Sequence, residues 1–233
     1  MNRFLDVGTS LVATVLRPFN GLRVEALGPR PKQPLVLYEF EGCPYCRKVR
    51  EALTALDLEV DVRPCPKGGE RFRPEVLGRG GKEQFPYLVD PNTGKAMYES
   101  AEIVRYLFAT YGSGRPPRVY DAGLLGDATS ALACLPRTGL GLRAEPSRVP
   151  REPLELWSFE ASPFCRIVRE RLCSLELPYR LHNVGKGSPS RPAFERRAGR
   201  IQVPFLVDPN TNVEMFESGD IVEYLEATYG EGE

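Results

Sequence analysis

Two cysteines one helical turn apart, in Cys43-Pro-Tyr-Cys46, are the residues of this chain whose type and spacing could do chemistry. They follow a short β-prone run, Leu35 to Phe40. They open a stretch from Pro44 to Leu56 with apolar residues at Val49, Ala52, Leu53 and Leu56, the spacing of one helical face. A helix tolerates proline in its first turn, so Cys43 falls at the helix N-terminus. Partial positive charge and unpaired N–H groups there stabilise a thiolate, the species that attacks a disulfide. Cys43 is then the nucleophile, and Cys46 resolves the mixed disulfide. The competing readings are inert thiols or part of a zinc site. Tetrahedral zinc wants two more close ligands, and the one histidine, His182, lies far along the chain.

The elements that must position these thiols occur twice. Leu35-Val-Leu-Tyr-Glu-Phe-Glu-Gly-Cys-Pro-Tyr-Cys-Arg-Lys-Val-Arg50 aligns with Leu154-Glu-Leu-Trp-Ser-Phe-Glu-Ala-Ser-Pro-Phe-Cys-Arg-Ile-Val-Arg169, and Gln84-Phe-Pro-Tyr-Leu-Val-Asp-Pro-Asn-Thr93 with Gln202-Val-Pro-Phe-Leu-Val-Asp-Pro-Asn-Thr211. The copies differ where it matters, because Ser162 stands at the place of Cys43. A serine hydroxyl has far too high a pKa to exchange disulfides, which leaves Cys165 in the resolving position without a nucleophile. In the first copy the pattern predicts a second strand at Glu59–Arg63 and a helical stretch near Arg71–Leu77. A hairpin follows (Tyr87–Val89 and Ala96–Tyr98 around Asp90-Pro-Asn-Thr-Gly94), then a final helix capped by Ser100 with Ile103, Val104, Leu107 and Phe108 buried. The second copy repeats this from Leu154 to Tyr229. The order β-α-β-α-β-β-α, with its right-handed crossover, gives an α/β fold of two tandem thioredoxin-like domains, 34–112 and 153–233. They are preceded by a segment 1–33 and joined by a linker 113–152. That linker is rich in Gly, Pro and Arg, with one short helix expected at Ala128–Leu135, and packs without forming a third domain.

Composition narrows the function. With 233 residues, 31 basic and 31 acidic side chains and no long run of either sign, neither nucleic acid nor an anionic membrane surface is an expected partner. The longest apolar stretch, Ser10–Leu16, is too short to span a membrane. Of the six cysteines only Cys43 and Cys46 have a telling spacing, which suits a reducing compartment rather than a secreted disulfide framework. Cys65 is either a third redox thiol at the active edge or a packed one, and Cys134 and Cys173 read as core. The first thirty residues are poor in acids, as in a transit peptide. Yet Gly21-Leu-Arg-Val-Glu25 recurs as Gly141-Leu-Arg-Ala-Glu145, so the N-terminus is read as part of the repeat.

The Cys-Pro-Tyr-Cys motif, the Phe-Pro and Val-Pro before a strand, and the Glu-Ser pairs opening the last helices resemble glutaredoxins and the N-terminal domains of glutathione transferases. The whole chain is similar to plant and algal proteins built from two such domains. The resemblance implies glutathione as co-substrate, with no metal. It implies cis Pro86 and cis Pro204, with the backbone of Phe85 and Val203 pairing with the cysteinyl part of glutathione as an added strand. Glu99-Ser100 and Glu217-Ser218 would hold the γ-glutamyl end, the serines and helix N-termini facing its α-carboxylate. Tyr45, Ser162 and Cys165 complete the glutathione-facing set. Many glutaredoxins carry a basic residue where this chain has Phe40 and Phe159, so Lys67 and Lys186, in loops at the same edge, become candidates for the glycyl carboxylate.

The leading function is a glutathione-dependent thiol-disulfide oxidoreductase with its dithiol in the first domain and a degenerate, glutathione-binding second domain. Alternatives are a non-catalytic scaffold, or a transferase akin to prostaglandin synthase type 2; the chain has no room for the helical domain with which transferases complete their electrophile pocket. By resemblance the location is the plastid stroma, otherwise the cytoplasm. The protein is expected to be a monomer whose domains pack face to face about a pseudo-twofold axis. Arg47 should help depress the Cys43 pKa. Leu11, Val12, Val15, Ala131, Leu132 and Leu135 should be dry between the domains.

Overall fold

The computed structural model describes residues 3–15, 20–120, 123–134, 137 and 139–231. The first repeat runs β1 (Leu35–Glu39), α2 (Pro44–Ala55), β2 (Val60–Pro64), α3 (Arg73–Gly80), β3 (Tyr87–Asp90), β4 (Lys95–Met97) and α4 (Ser100–Tyr111). The second runs β5 (Leu154–Ser158), α6 (Pro163–Ser174), β6 (Tyr179–Asn183), α7 (Arg191–Ala198), β7 (Phe205–Asp208), β8 (Val213–Phe216) and α8 (Ser218–Tyr229). Each repeat is preceded by a helix, α1 (Arg3–Val15) and α5 (Gly123–Cys134). The linker helix therefore begins five residues earlier than its sequence suggested, and Leu135 lies outside the described residues.

Within each repeat the first two strands pair in parallel, Leu35 with Val60 and Leu154 with Tyr179, and the hairpin joins antiparallel on the other side. The repeats then meet edge to edge rather than face to face. β2 pairs antiparallel with β6, giving one eight-stranded sheet in the palindromic order β4-β3-β1-β2-β6-β5-β7-β8. Asp61 and Arg180, equivalent in the two repeats, face each other at the centre of this pairing. Arg180 donates to both Asp61 oxygens, at 2.8 and 3.1 Å. The join covers two edges that would otherwise be open to other chains.

The apolar core continues across the join. Leu35, Leu37, Val60 and Val62 of one repeat share a cluster with Leu154, Leu156, Tyr179 and Leu181 of the other. Above the sheet, buried charged residues tie α2 and α6 to the end of β1 and to the loops after β1 and β5. Arg50 bonds Glu39 and Glu160, and Arg169 bonds Glu41 and Glu160. The helices that precede the repeats cross over. α1 packs on α6, where the Ser10 hydroxyl donates to the Pro163 carbonyl (2.9 Å) and Thr14 to the Ala161 carbonyl (3.0 Å). α5 packs on α2, with Ser130 donating to the Pro44 carbonyl (2.6 Å). The repeated Gly-Leu-Arg segments cross in the same way. A Cβ on Gly21, whose φ is +74°, would lie 2.7 Å from Glu160 Cβ; one on Gly141, at φ +62°, would lie 3.0 Å from Glu41 Cβ.

This arrangement overturns a second expectation, that the apolar residues of these helices are dry between the domains. The small polar residues of α1 and α5 face the protein, and Leu11, Val12, Val15, Ala131 and Leu132 are exposed. None of the described helices is long and apolar enough to cross a membrane.

Candidate active site of the first repeat

β1 delivers Cys43 to one edge of the sheet, and α2 begins there. Cys43 has extended backbone (φ −83°, ψ 120°) and caps the helix through its sulfur, which accepts the Cys46 N–H at 3.2 Å. Hydrogen bonding from the Cys46 side chain is the largest influence on Cys43. The N–H groups of Cys46 and Tyr45 add to it, against burial and the Glu39 charge, and the thiol is held below its ordinary pKa. Arg47 does not supply this effect in the way expected, since it turns to Glu51 (3.3 Å) and Glu160 (3.8 Å) between the repeats. Cys46 is fully buried, and burial first, then its bond to Cys43, pushes it well above the ordinary thiol value. An easily ionised outer thiol and a reluctant inner one are the division of labour that attack and resolution require.

The other candidates gather at the same edge. β3 begins opposite the end of β1, Tyr87 beside Tyr38, so cis Pro86 and Phe85 stand next to Phe40, whose ring meets Phe85 edge-on at 6.1 Å. β4 ends opposite the start of β3, which brings Glu99-Ser100 to that edge; the Gln84 amide donates to Glu99 there at 2.5 Å. Glu99 has φ +63°, a left-handed conformation costing a non-glycine residue about 1–3 kcal/mol, and such strain concentrates at functional sites. Glu99 is itself the cap of α4. Ser100, read from sequence as that cap, is the first helical residue and is buried. Tyr45, within the motif, is exposed. Lys67 is exposed, its loop pinned by backbone bonds to Leu142 and Ala144.

The second repeat reproduces the frame without the thiol. Ser162 caps α6, its hydroxyl accepting the Cys165 N–H at 3.3 Å. Val203-Pro204 is cis, Glu217 has φ +70° and accepts from Gln202 (2.6 Å), Ser218 opens α8, and Lys186 is pinned to Leu22 and Val24. Cys165 is buried and raised by that burial. Cys65 lies among Tyr38, Phe72, Val76 and Tyr87, and burial raises its pKa far out of the reactive range, so it behaves as a packed residue. Cys173 sits at the join, accepting the Glu41 N–H, while Cys134 is partly exposed on α5. His182 stacks on Trp157 at 4.2 Å between Glu59 and Glu155. Among the described residues no group of three or more His, Cys, Asp or Glu could hold a metal ion.

Two sets of residues escaped the sequence reading. Arg73 and Arg191 donate to the carbonyls of Cys65–Pro66 and Val184–Gly185, locking the loop after the second strand in each repeat; the recurring Arg-Pro was their signal. The buried charges Glu39, Glu41, Arg50, Glu160 and Arg169 were also missed. Their signal was the repeat of Glu41 and Arg50 as Glu160 and Arg169 at one offset.

The family model for the glutathione S-transferase N-terminal domain matches residues 37–117 and again 156–233. The chain belongs to this family. Among solved structures, a Bombyx mori glutathione transferase shares 30% identity over 36% of this chain and 39% of its own, with a TM-score of 0.33. A delta-class glutathione transferase of Nilaparvata lugens shares 30% over 34% and 37%, with a TM-score of 0.31. A trimeric glutathione transferase of Leishmania shares 16% over 84% and 69%, with a TM-score of 0.30. The chain thus spans well under half the length of the two insect proteins. No curated protein matches it.

Proposed function

We propose that this protein is a glutathione-dependent thiol-disulfide oxidoreductase whose single dithiol site is Cys43 and Cys46. The observation that carries this reading is the pairing of a helix-capping thiol with a lowered pKa and a buried thiol with a raised one, at the edge where cis Pro86 and the strained Glu99 stand. Cys43 attacks a disulfide and its leaving thiolate departs; Cys46 then attacks Cys43, releases the bound thiol and leaves a Cys43–Cys46 disulfide, which two glutathione thiols reduce. Phe85, Pro86, Glu99, Ser100, Tyr45 and Lys67 hold glutathione at this site. The second repeat, with Ser162, Cys165, Lys186, Val203, Pro204, Glu217 and Ser218, binds glutathione without redox turnover. The location is a reducing compartment, the plastid stroma by the resemblance of the chain, and the working unit is one copy.

Peptide mapping after brief exposure of the full chain to glutathione disulfide tests the assignment. The glutathione adduct is expected on Cys43, followed by a Cys43–Cys46 disulfide. An adduct confined to Cys134 or Cys165 contradicts it. One observation favours a structural role for the second repeat instead: it supplies Arg169 and Glu160 to the charge cluster beneath the dithiol. Calorimetry on full-length Cys43→Ser distinguishes the two, since two equivalents of glutathione bind if both repeats hold it, and one if the second repeat is only a partner.

A further inference from the structure

We propose that the second repeat carries a slot for one tyrosine ring, presented by a basic segment of a partner protein, among α6, α8 and the segment 137–145.

The first repeat holds the twin of this place, and there it is filled. After α4 the chain runs through Gly112-Ser-Gly-Arg-Pro-Pro-Arg-Val-Tyr120, and Tyr120 folds back to a buried position. Its ring meets Phe108 of α4 at 5.4 Å. Its hydroxyl lies near the Gly21 backbone and the Glu25 carboxylate, and the charge of Glu51 on α2 acts on it. The residues at the repeat positions of Gly21, Glu25, Glu51 and Phe108 are Gly141, Glu145, Glu170 and Glu226. These four line a cavity of about 220 Å³ together with Ile167 and Val222. The same ring site is thus occupied in one repeat and open in the other. Ile167, an apolar side chain at the open cavity, is only half-buried, whereas its counterpart Lys48 is buried. After α8 the chain turns elsewhere, Gly230 pairing with Ser147 and the Glu231 N–H bonding the Pro146 carbonyl.

The lining selects the occupant. The cavity is smaller than the roughly 300–1,000 Å³ that takes a drug-sized ligand, and it suits a single ring. Ile167 and Val222 give that ring apolar contact. Glu145 gives a phenol hydroxyl the polar partner that a buried tyrosine needs. Charge sets the rest. Glu170 is taken up by Arg137 at 2.6 Å, while Glu145 and Glu226, each about half exposed, share Arg171. Two carboxylates on one guanidinium leave the rim negative. Glu226 also stands where the first repeat has Phe108, so a ring contact is replaced by a group that attracts a cation. In the first repeat Arg115 and Arg118 come just before Tyr120. A tyrosine preceded by basic residues therefore matches ring site and rim together.

Methyl NMR of the full chain, titrated with a synthetic peptide of the sequence 112–120, tests the slot. Saturable shifts centred on the Ile167 and Val222 methyls are expected. Replacing the peptide's tyrosine by alanine should weaken binding by about 10-fold or more, the effect of truncating one anchoring aromatic. Ile167→Phe, which fills the cavity from α6, should weaken it similarly, and Val222→Phe fills it from α8 should the first variant fail to fold. Equal binding of the tyrosine and alanine peptides overturns the slot and leaves only attraction to an acidic rim. Binding that the filling variants do not change overturns it as well, as does the absence of any shift at millimolar peptide.

Discussion

The difference between Cys43 and Ser162 is one atom in an otherwise shared frame, and the surrounding hydrogen bonds make it matter. Both residues cap a helix and accept the N–H three residues on, but only the thiol can be ionised by that arrangement at neutral pH. The rate of Cys43 alkylation against pH is therefore expected to show a midpoint below the ordinary thiol value of about 8.5, and a midpoint at or above it contradicts the capping argument. The dithiol motif was legible in the sequence because a helix start is local, whereas the cis prolines followed only from the resemblance to a family. The cap of the last helix in each repeat moved by one residue, to Glu99 and Glu217, whose positive φ no propensity argument favours. Glu39 was not legible at all. A glutamate at the end of a strand gives no sign of being buried until Arg50 and the second repeat are seen around it.

Helix α2 shows where reading by element stops. Its apolar face was correctly read from Val49, Ala52 and Leu53, yet Arg47, Lys48, Arg50, Glu51 and Thr54 are buried as well. The polar face of this helix is covered by α5 and by the other repeat. Within the cluster, burial acts to raise the pKa of Glu160, but Arg169, Arg50, Arg47 and Arg166 together hold it at about 2. A carboxylate whose folded pKa is depressed stabilises the protein above its unfolded pKa, and this contribution is lost as pH falls through the folded value. Glu160→Gln is expected to cost about 3–5 kcal/mol at neutral pH, by leaving buried guanidinium charge uncompensated. In urea unfolding the gap to wild type should then narrow between about pH 4.5 and pH 2. A gap that does not change with pH contradicts the assignment. At the join itself, Asp61 and Arg180 occupy equivalent positions with opposite charge, so first repeat meets second without like charges at the centre. Asp61→Arg should lower the melting temperature and Asp61→Arg with Arg180→Asp should recover most of the loss. The double-mutant coupling expected for this partly exposed pair is about 0.5–1 kcal/mol. No recovery would mean that the pair contributes nothing to the match.

Taken whole, the molecule is one sheet built from two copies of a glutathione transferase N-terminal domain, with the segment before each copy crossing to cover the helix of the other. The family model matches both copies, and the duplication was visible in the sequence. The edge-to-edge join was not, because β2 and β6 carry no feature that distinguishes an exposed edge from a paired one. The crossing of α1 and α5 was missed for a related reason: among their described side chains the buried ones are Ser10, Thr14 and Ser130, while Leu11, Val12, Val15 and Leu132 are exposed. The second copy lends charge to the buried cluster between the repeats, and in the proposed function the first copy does the redox chemistry. Turnover of a glutathione mixed disulfide, coupled to glutathione disulfide reductase, tests that division most directly. Wild type should turn over, and Cys43→Ser, which gives the first repeat the residue of the second, should fall to background with its fold intact. Undiminished turnover by Cys43→Ser would contradict the account.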